Sequence, residues 1–421
     1  MNITQPFEKL PVSDEWVFKN IKSTQQWTHG YHRYPAKFLP NLVKKIIEDY
    51  TEPGDIIADM FAGCGTTLVE SKIHGRKSVG VDINPVAQLI TNVKTSPIRQ
   101  GLLESKFQII LSEIENFRPE DFHNIEKHAR IDYWFYPSEK YKIAFLYQII
   151  TELKTTKKVK NFFLVALSNI LKNCSKWLQS STKPQIDSDK KPTEVFKAFN
   201  RQVKSMLKQN ERFFNRLEEL QFTNIESKLV LEDARDTSIK PGTINAIITS
   251  PPYVTSYEYA DLHQLTGYWF EYLNNLLEFR SNFIGTFYSY GESLKSNSKI
   301  AQAAIDDLKD IHLRTAKEVA NYFNDMYDVA NEMHRVLKNG GKTFVVIGNT
   351  TFKNVKIQSA EIFAELLELI GFTIENVIKR SIPNKLIPTI RDKHTGKFTT
   401  LDNKNSKEVY PEEYIIIARK P

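Results

Sequence analysis

The chain has 421 residues, 41% of them hydrophobic and 25% charged, enough for one or two domains with a sizeable core, which excludes a disordered or low-complexity protein. Lysine and arginine outnumber aspartate and glutamate by 57 to 50, and the formal net charge of +7 suits a nucleic-acid partner. Two cysteines, Cys64 and Cys174, exclude a disulfide framework and point to a reducing compartment.

The stretch Met1–Asp14 is polar, without the apolar region of a secretory signal. An aromatic and basic segment follows, Tyr31-His32-Arg33-Tyr34-Pro35-Ala36-Lys37-Phe38-Leu39-Pro40. Asp55–Asp59 then reads as a short strand, Phe61-Ala62-Gly63-Cys64-Gly65 as a glycine turn, and Thr66-Thr67 as the cap of a helix through Leu68, Val69 and Ile73. The two glycines let backbone approach a ligand with no Cβ in the way. A second strand, Ser78–Asp82, ends in a carboxylate about twenty residues beyond that turn. At this spacing an acidic side chain reaches the ribose hydroxyls of a nucleoside in a βαβ unit.

Exclusion narrows the nucleoside. No Gly-Lys-Ser/Thr is present to cradle phosphates, and Leu68 stands where a pyrophosphate-binding turn has its third glycine. Asp59 beside the turn repels a phosphate but tolerates an ammonium and a sulfonium. S-adenosylmethionine carries both.

From about Ser96 to Thr223 the pattern is helical. One helix starts at Ser138 with Ile143, Ala144, Leu146, Ile149 and Ile150 on its stripe. A second spans Phe162–Leu178 and contains Cys174; a third spans Thr193–Leu220 with Val195, Phe199, Val203, Met206, Phe213 and Leu217 at helical spacing. These stripes read as core, separated by a polar loop, Ser180–Pro192. Roughly 130 residues is far more than adjacent strands of an α/β core need for their connection. A helical, basic insertion over residues 96–223 is therefore expected between core segments 1–95 and 224–421. Between Lys154 and Arg216 bases outnumber acids by more than three to one, either a phosphate-attracting surface or an ordinary solvated face.

Val230–Asp236 reads as a third strand ending in acids, where Asp233 can accept from an adenine amino group. The apolar strand Ile244–Ile248 then runs into Ser250-Pro251-Pro252-Tyr253. Two prolines lack N–H donors and have fixed φ, so the strand stops in a stiff extended turn. That turn presents a hydroxyl, freed carbonyls and an aromatic ring, a set suited to an exocyclic amine, although a rigid strand exit alone would look the same. An aromatic insertion, residues 254–315, follows with Tyr257, Tyr259, Tyr268, Trp269, Phe270 and Tyr272, and more between Phe283 and Tyr290. Those rings either stack on bases or pack a helix on the sheet. Glu258 and His263 provide two ligand-type side chains without a third, so no metal is expected.

The closing stretch alternates regularly: helix Ala316–Leu337, strand Lys342–Gly348, helix Ala360–Ile370, then strands Thr373–Lys379 and Glu413–Ala418 as an antiparallel hairpin around a charged loop, Asn384–Glu408. No apolar run approaches eighteen residues, Phe162–Leu171 being about the longest. A cytoplasmic protein with no membrane contact is expected.

The run Asp59-x-Phe61-x-Gly63-x-Gly65-Thr66-Thr67, with Asp82, Asp233 and Ser250-Pro251-Pro252-Tyr253, resembles the amino-group DNA methyltransferases, and Ser-Pro-Pro-Tyr is the form typical of cytosine-N4 enzymes. Tyr31–Pro40 is similar to that family's N-terminal motif. The resemblance covers roughly residues 29–95 and 226–421. It implies a doubly wound α/β fold, a seven-stranded S-adenosylmethionine-dependent methyltransferase sheet with a helical insertion. It implies that Phe61, Ala62, Gly63, Gly65, Thr66 and Thr67 surround the methionine end of the cofactor, Lys37 its carboxylate and Asp59 its amino-acid part. Asp82 and Ile83 would meet ribose, Asp233 and Ala234 adenine. Ser250, Pro251, Pro252 and Tyr253 would hold a cytosine flipped from double-stranded DNA, with a cognate restriction endonuclease as a possible partner; no oligomeric state is implied. Adenine N6, or a guanine amine in RNA, is the alternative acceptor. A DNA-binding regulator with a cofactor-shaped fold is the non-enzyme alternative, disfavoured because every expected polar position of both motifs is present. DNA sequence would be read by the helical insertion, the aromatic insertion or the Asn384–Glu408 loop.

Overall fold

The computed structural model describes the chain apart from residues 1–5, 20, 22, 36, 123–126, 182, 255–258, 287–292, 353, 383–389, 393–401 and 409–411. Seven apolar segments form one sheet: β1 (Ile56–Asp59), β2 (Lys77–Asp82), β3 (Ser227–Leu231), β4 (Ile244–Thr249), β5 (Leu337–Ile347), β6 (Thr373–Ser381) and β7 (Glu412–Arg419), in the order β3-β2-β1-β4-β5-β7-β6. β1 to β5 are parallel, and β7 is antiparallel to both β5 and β6. The chain moves outward from β1 to β3 and returns to β4, so β1 and β4 lie side by side where the winding reverses. Ligand crevices open at the carboxyl ends of such a strand pair.

The helices used below are α1 (Pro40–Tyr50), α2 (Thr66–Ile73), α3 (Pro85–Thr95), α4 (Gln100–Glu115), α5 (Pro137–Glu152), α6 (Lys157–Ile170), α7 (Val195–Glu219), α8 (Gln264–Trp269), α9 (Lys299–Lys309), α10 (Leu313–Val336) and α11 (Ser359–Ile370). Strand alternation divides the core between the two faces of the sheet. Ile57, Ala246, Ile248, Phe344, Val346, Ile415 and Ile417 pack with Leu42, Val43, Ile46 and Ile47 of α1. Their neighbours Ala58, Ile247, Val345, Ile347 and Ile416 pack on α10 and α11 from the other side. The stripes of α4 to α7 join α3 and α8 in a separate hydrophobic cluster.

Several boundaries differ from the sequence reading. The second helix of the insertion runs Lys157–Ile170, and Cys174 sits in the turns beyond it, because Trp177 pairs back with Ile186 in a β-bridge. β3 ends at Leu231, leaving Asp233 and Asp236 in a turn of their own. β5 begins at Leu337, directly after α10; a register shift against β4 absorbs Asn339–Gly341. Tyr268, Trp269 and Phe270 are buried in the helical cluster, which removes them as base-stacking platforms. α3, α4 and α9 lack a counterpart in the sequence reading. Tyr257, Glu258, Tyr290 and most of the Asn384–Glu408 loop lie outside the described residues.

The glycine turn also differs in detail. Gly65, not a threonine, is the N-cap residue of α2, with φ +74° and no side-chain cap bond. A Cβ there would lie 2.5 Å from Thr91 Cγ2, and the Thr91 hydroxyl is already committed to the Gly63 carbonyl at 3.0 Å. Gly65→Ala is therefore expected to destabilise the fold by about 2–4 kcal/mol, combining left-handed strain with overpacking, as a lowered urea midpoint by circular dichroism.

Candidate active site

The carboxyl ends of β1, β2, β3 and β4 surround a cleft with an empty volume of about 910 Å³. Lys37, Asp59, Phe61, Ala62, Gly63, Thr66, Asp82, Ile83, Asp233, Ala234, Ser250 and Pro252 all line it. Gly65, Thr67, Pro251 and Tyr253 are absent from that lining.

Asp59 closes β1 and is 2% exposed. Its Oδ1 accepts from the Phe61 N–H (3.1 Å) and the Thr249 hydroxyl (2.7 Å), and its Oδ2 from the Thr67 hydroxyl (2.7 Å). Burial pushes its carboxyl up to about 6 against those three donors. Three of about four acceptor positions are thus spent within the chain. Asp59 fastens the start of α2 to the end of β4, and Thr67 acts through it.

Asp82 ends β2. Its Oδ2 accepts from the Gly63 N–H (2.9 Å), which shapes the glycine turn, and its Oδ1 from the Asn84 N–H (2.8 Å). Burial again pushes the carboxyl up to about 6, with the nearby Asp59 carboxylate adding to the rise and the Asn84, Gly63 and Ile83 N–H groups opposing it. Its donors are backbone N–H groups alone, with no cation or side-chain donor among the described residues. Asp233, by contrast, is gripped by Arg235 through Nε (3.0 Å) and Nη2 (2.6 Å), and Arg235 Nη1 continues to Asp325 Oδ1 at 2.7 Å. Asp325 Oδ2 accepts from the Gly285 N–H (2.9 Å), just beyond the cleft-lining segment Asn282–Ile284.

At the other end of the cleft, Lys37 Nζ donates to the carbonyls of His29 (3.2 Å) and Thr24 (3.4 Å). Burial, then Lys94, bring its ammonium down to about 8. Lys94, fully buried on α3, donates to the Cys64 carbonyl at 2.9 Å. Two ammonium groups thus lie beside the glycine turn, bonded to carbonyls alone among the described residues.

At the end of β4 the Ser250 hydroxyl donates to the Val346 carbonyl (3.0 Å), which leaves its lone pairs free to accept. The Tyr322 hydroxyl holds the Pro252 carbonyl at 2.7 Å. The Tyr253 ring rests against Gly348 and its hydroxyl donates to Glu413 at 3.2 Å, so it buttresses the turn from the β5 side.

A sequence model of the DNA methylase family matches residues 5–92 and 244–421, leaving the stretch with the helical insertion unmatched. The chain belongs to the DNA methylase family. It is similar to the type II methyltransferase M.MvaI of Kocuria varians, 26% identical over 397 residues that span 87% of each chain. It is also similar to the type II methyltransferase M.AvaI of a Nostoc species, 26% identical over 407 residues, 86% of this chain and 82% of the relative. A shorter match of 91 residues, 40% identical, joins 21% of this chain to 17% of the type II methyltransferase M.MjaII of Methanocaldococcus jannaschii.

Relative to that family's motifs, sequence reasoning overlooked Lys94, Asn84, Tyr322, Asp325 and Asn282–Ile284. Asn84 had a usable signal: Asn-Pro at a helix start is an N-cap followed by a proline at the first helical position, and its side chain accepts from the Val86 N–H. Lys94, Tyr322 and Asp325 reach the cleft region from helices remote in sequence, with no local pattern to mark them.

Proposed function

We propose that this DNA methylase transfers the methyl group of S-adenosylmethionine to the N4 amine of a cytosine flipped out of duplex DNA, as the modification arm of a restriction–modification system. The observation that carries the reading is the Ser250 hydroxyl, its proton engaged by Val346 and its lone pairs free, at the end of a cleft whose other wall holds Asp82 and Lys37. The type II methyltransferase relatives support the biological setting.

The cleft suits the cofactor chemically. Asp82 would accept from the ribose hydroxyls and Lys37 would meet the carboxylate, while Asp59, with three of about four acceptor positions spent, ties the glycine turn to β4 and Lys94 holds the Cys64 carbonyl. Asp233, clamped by Arg235, presents its outer oxygen edge to an adenine amino group. When bound, the cofactor supplies an electrophilic methyl on a sulfonium, so the protein's task is positioning. Ser250 Oγ and the Pro251 carbonyl each accept one N–H of the target amine, turning the nitrogen lone pair out of conjugation and toward the methyl. No strong base is needed, since the nitrogen becomes acidic only after methylation. The flipped base costs a few kcal/mol of stacking, offset by these contacts.

Because burial raises Asp82 to about 6, its carboxylate protonates as pH falls through that value, and an acid group donates to one hydroxyl instead of accepting from it. Cofactor affinity is therefore expected to be greatest near pH 7, to fall roughly tenfold per unit well below 6, and to decline again above about 8 as Lys37 loses its proton, read by calorimetric titration across pH. Digesting DNA methylated by the purified protein to nucleosides and weighing them tests the acceptor. N4-methylcytosine is expected; N6-methyladenine would overturn the choice of base.

A further inference from the structure

We infer that the outward face of the N-terminal half of α7, together with Arg33, is the track on which the phosphates of a DNA duplex lie while one base occupies the cleft. The inference rests on the DNA methyl-transfer reading above. Lys197, Arg201, Lys204 and Lys208 recur at i, i+4, i+7 and i+11, and so share one helix face. All four are exposed, and none has an ion-pair partner among the described residues. The row is about 16 Å long at 1.5 Å per residue. Phosphates on one strand of a duplex advance about 3.4 Å each, so the row spans roughly five of them.

The face is fixed in direction by what lies behind and beside it. Val203, Met206 and Leu207 are buried behind it, and Asn210 locks to both backbone groups of Ile98 at 2.7 and 3.1 Å. Beside it, Gln202 donates to the Tyr31 carbonyl (2.9 Å), Gln209 accepts from the Gly30 N–H (3.1 Å), and Asn169 bridges Gln202 to the Arg33 N–H (2.8 Å for each contact). α7 is thereby strapped to residues 30–33, immediately before Tyr34 in the cleft wall, and Arg33 itself is exposed.

Charge is graded along the helix. Its far half packs Phe213 and Leu217 on Val69 and Ile73 of α2, and α2 starts at the glycine turn and leads away from the cleft. There Glu211, Glu218 and Glu219 offset Arg212 and Arg216, Arg216 being paired with Glu219 at 2.9 Å. The uncompensated cations flank Gln202 and Gln209, the two side chains that tie the helix to residues 30–31. A straight row of cations without ion-pair partners among the described residues, on a helix strapped to the segment that leads into the cleft wall, fits the regular backbone of a duplex.

The test compares full-length wild-type protein with the triple variant Lys197→Gln, Arg201→Gln, Lys204→Gln, all surface changes, and with the control Arg212→Gln, Arg216→Gln. Binding to a short fluorescent duplex of random sequence is titrated over a range of salt. The triple variant is expected to flatten the slope of log affinity against log salt by about two to three, and the control by less than about one. On unmethylated phage DNA it should raise KM for DNA roughly tenfold or more, with kcat and cofactor affinity within about twofold. An unchanged slope and KM would overturn the track. An unchanged duplex slope with weakened binding of a single-stranded RNA probe would overturn it in favour of RNA. Wild-type protein that binds duplex through these residues yet transfers no methyl group would uphold the track and sink the methyl-transfer reading instead.

Discussion

Replacing Ser250 by alanine is expected to lower methyl transfer to DNA roughly 10²–10³-fold, the scale of one lost hydrogen bond aimed at a reacting group, while cofactor affinity stays within about twofold. The substitution removes one oxygen from a turn held by other means. Pro251 and Pro252 keep their fixed φ, and the Tyr322 hydroxyl still grips the Pro252 carbonyl at 2.7 Å. On the proposed mechanism, what disappears is the acceptor that would turn the amine lone pair toward the methyl group. Single-turnover transfer of labelled methyl, with calorimetric binding of cofactor alongside, separates the two effects. A variant retaining a third or more of the wild-type rate would remove Ser250 from the chemistry and leave the turn as a strand exit.

The second large effect is on binding. Asp82→Ala is expected to weaken cofactor binding at least 10²-fold, about 2.7 kcal/mol. Two hydroxyl-to-carboxylate hydrogen bonds of about 1.5–3 kcal/mol each leave room for that loss after the hydroxyls regain water. The Gly63 N–H also loses its anchor at 2.9 Å, so the glycine turn is less well ordered to receive the ligand. Stability should change far less. A carboxyl raised to about 6 from its ordinary 3.8 binds its proton more tightly folded than unfolded. The charged form therefore penalises the native state above pH 6, and the penalty fades as pH falls from 6 toward 3.8. Lifting that penalty offsets part of the cost of unbonding the Gly63 and Asn84 N–H groups, so the cofactor-free variant should stay folded, within about 2 kcal/mol of wild type at pH 7. A variant that lost cofactor binding only because its urea midpoint collapsed would contradict this account.

How much of the site was legible follows from how its parts are encoded. Asp59, Gly63, Asp82 and Ser250 each stand at the end of an apolar strand, and a strand end next to a glycine or proline turn is a local pattern readable in a few residues. The same locality misled at the Thr66-Thr67 cap. A left-handed Gly65 can start the helix unaided, and the Thr67 hydroxyl goes to Asp59. Tyr253 shows a different limit. Its ring belongs to the motif in sequence, yet the Gly348 strand edge and Glu413, more than ninety residues away, decide where it rests. The aromatic insertion was ambiguous because stacking platforms and core helices draw on the same residues; burial of Trp269 and Tyr268 beneath the helical cluster resolves them as core.

By itself the sequence determined the alternation of strands and helices, the long helical interruption before β3, and the acidic, glycine and proline signals at the strand ends. These depend on hydrophobic period, backbone freedom and hydrogen-bonding capacity, properties carried by neighbours along the chain. Only the tertiary structure decided which carboxylates keep free lone pairs. It spent Asp59 on the Thr67 and Thr249 hydroxyls and the Phe61 N–H, tied Asp233 to Arg235, and gave Asp82 backbone N–H donors alone. It also brought Lys94 to the Cys64 carbonyl, Tyr322 to the Pro252 carbonyl and Asp325 to Arg235, and strapped α7 to residues 30–31. Distance along the chain carries no information about such contacts, because packing of the sheet, not local propensity, determines which remote side chains meet.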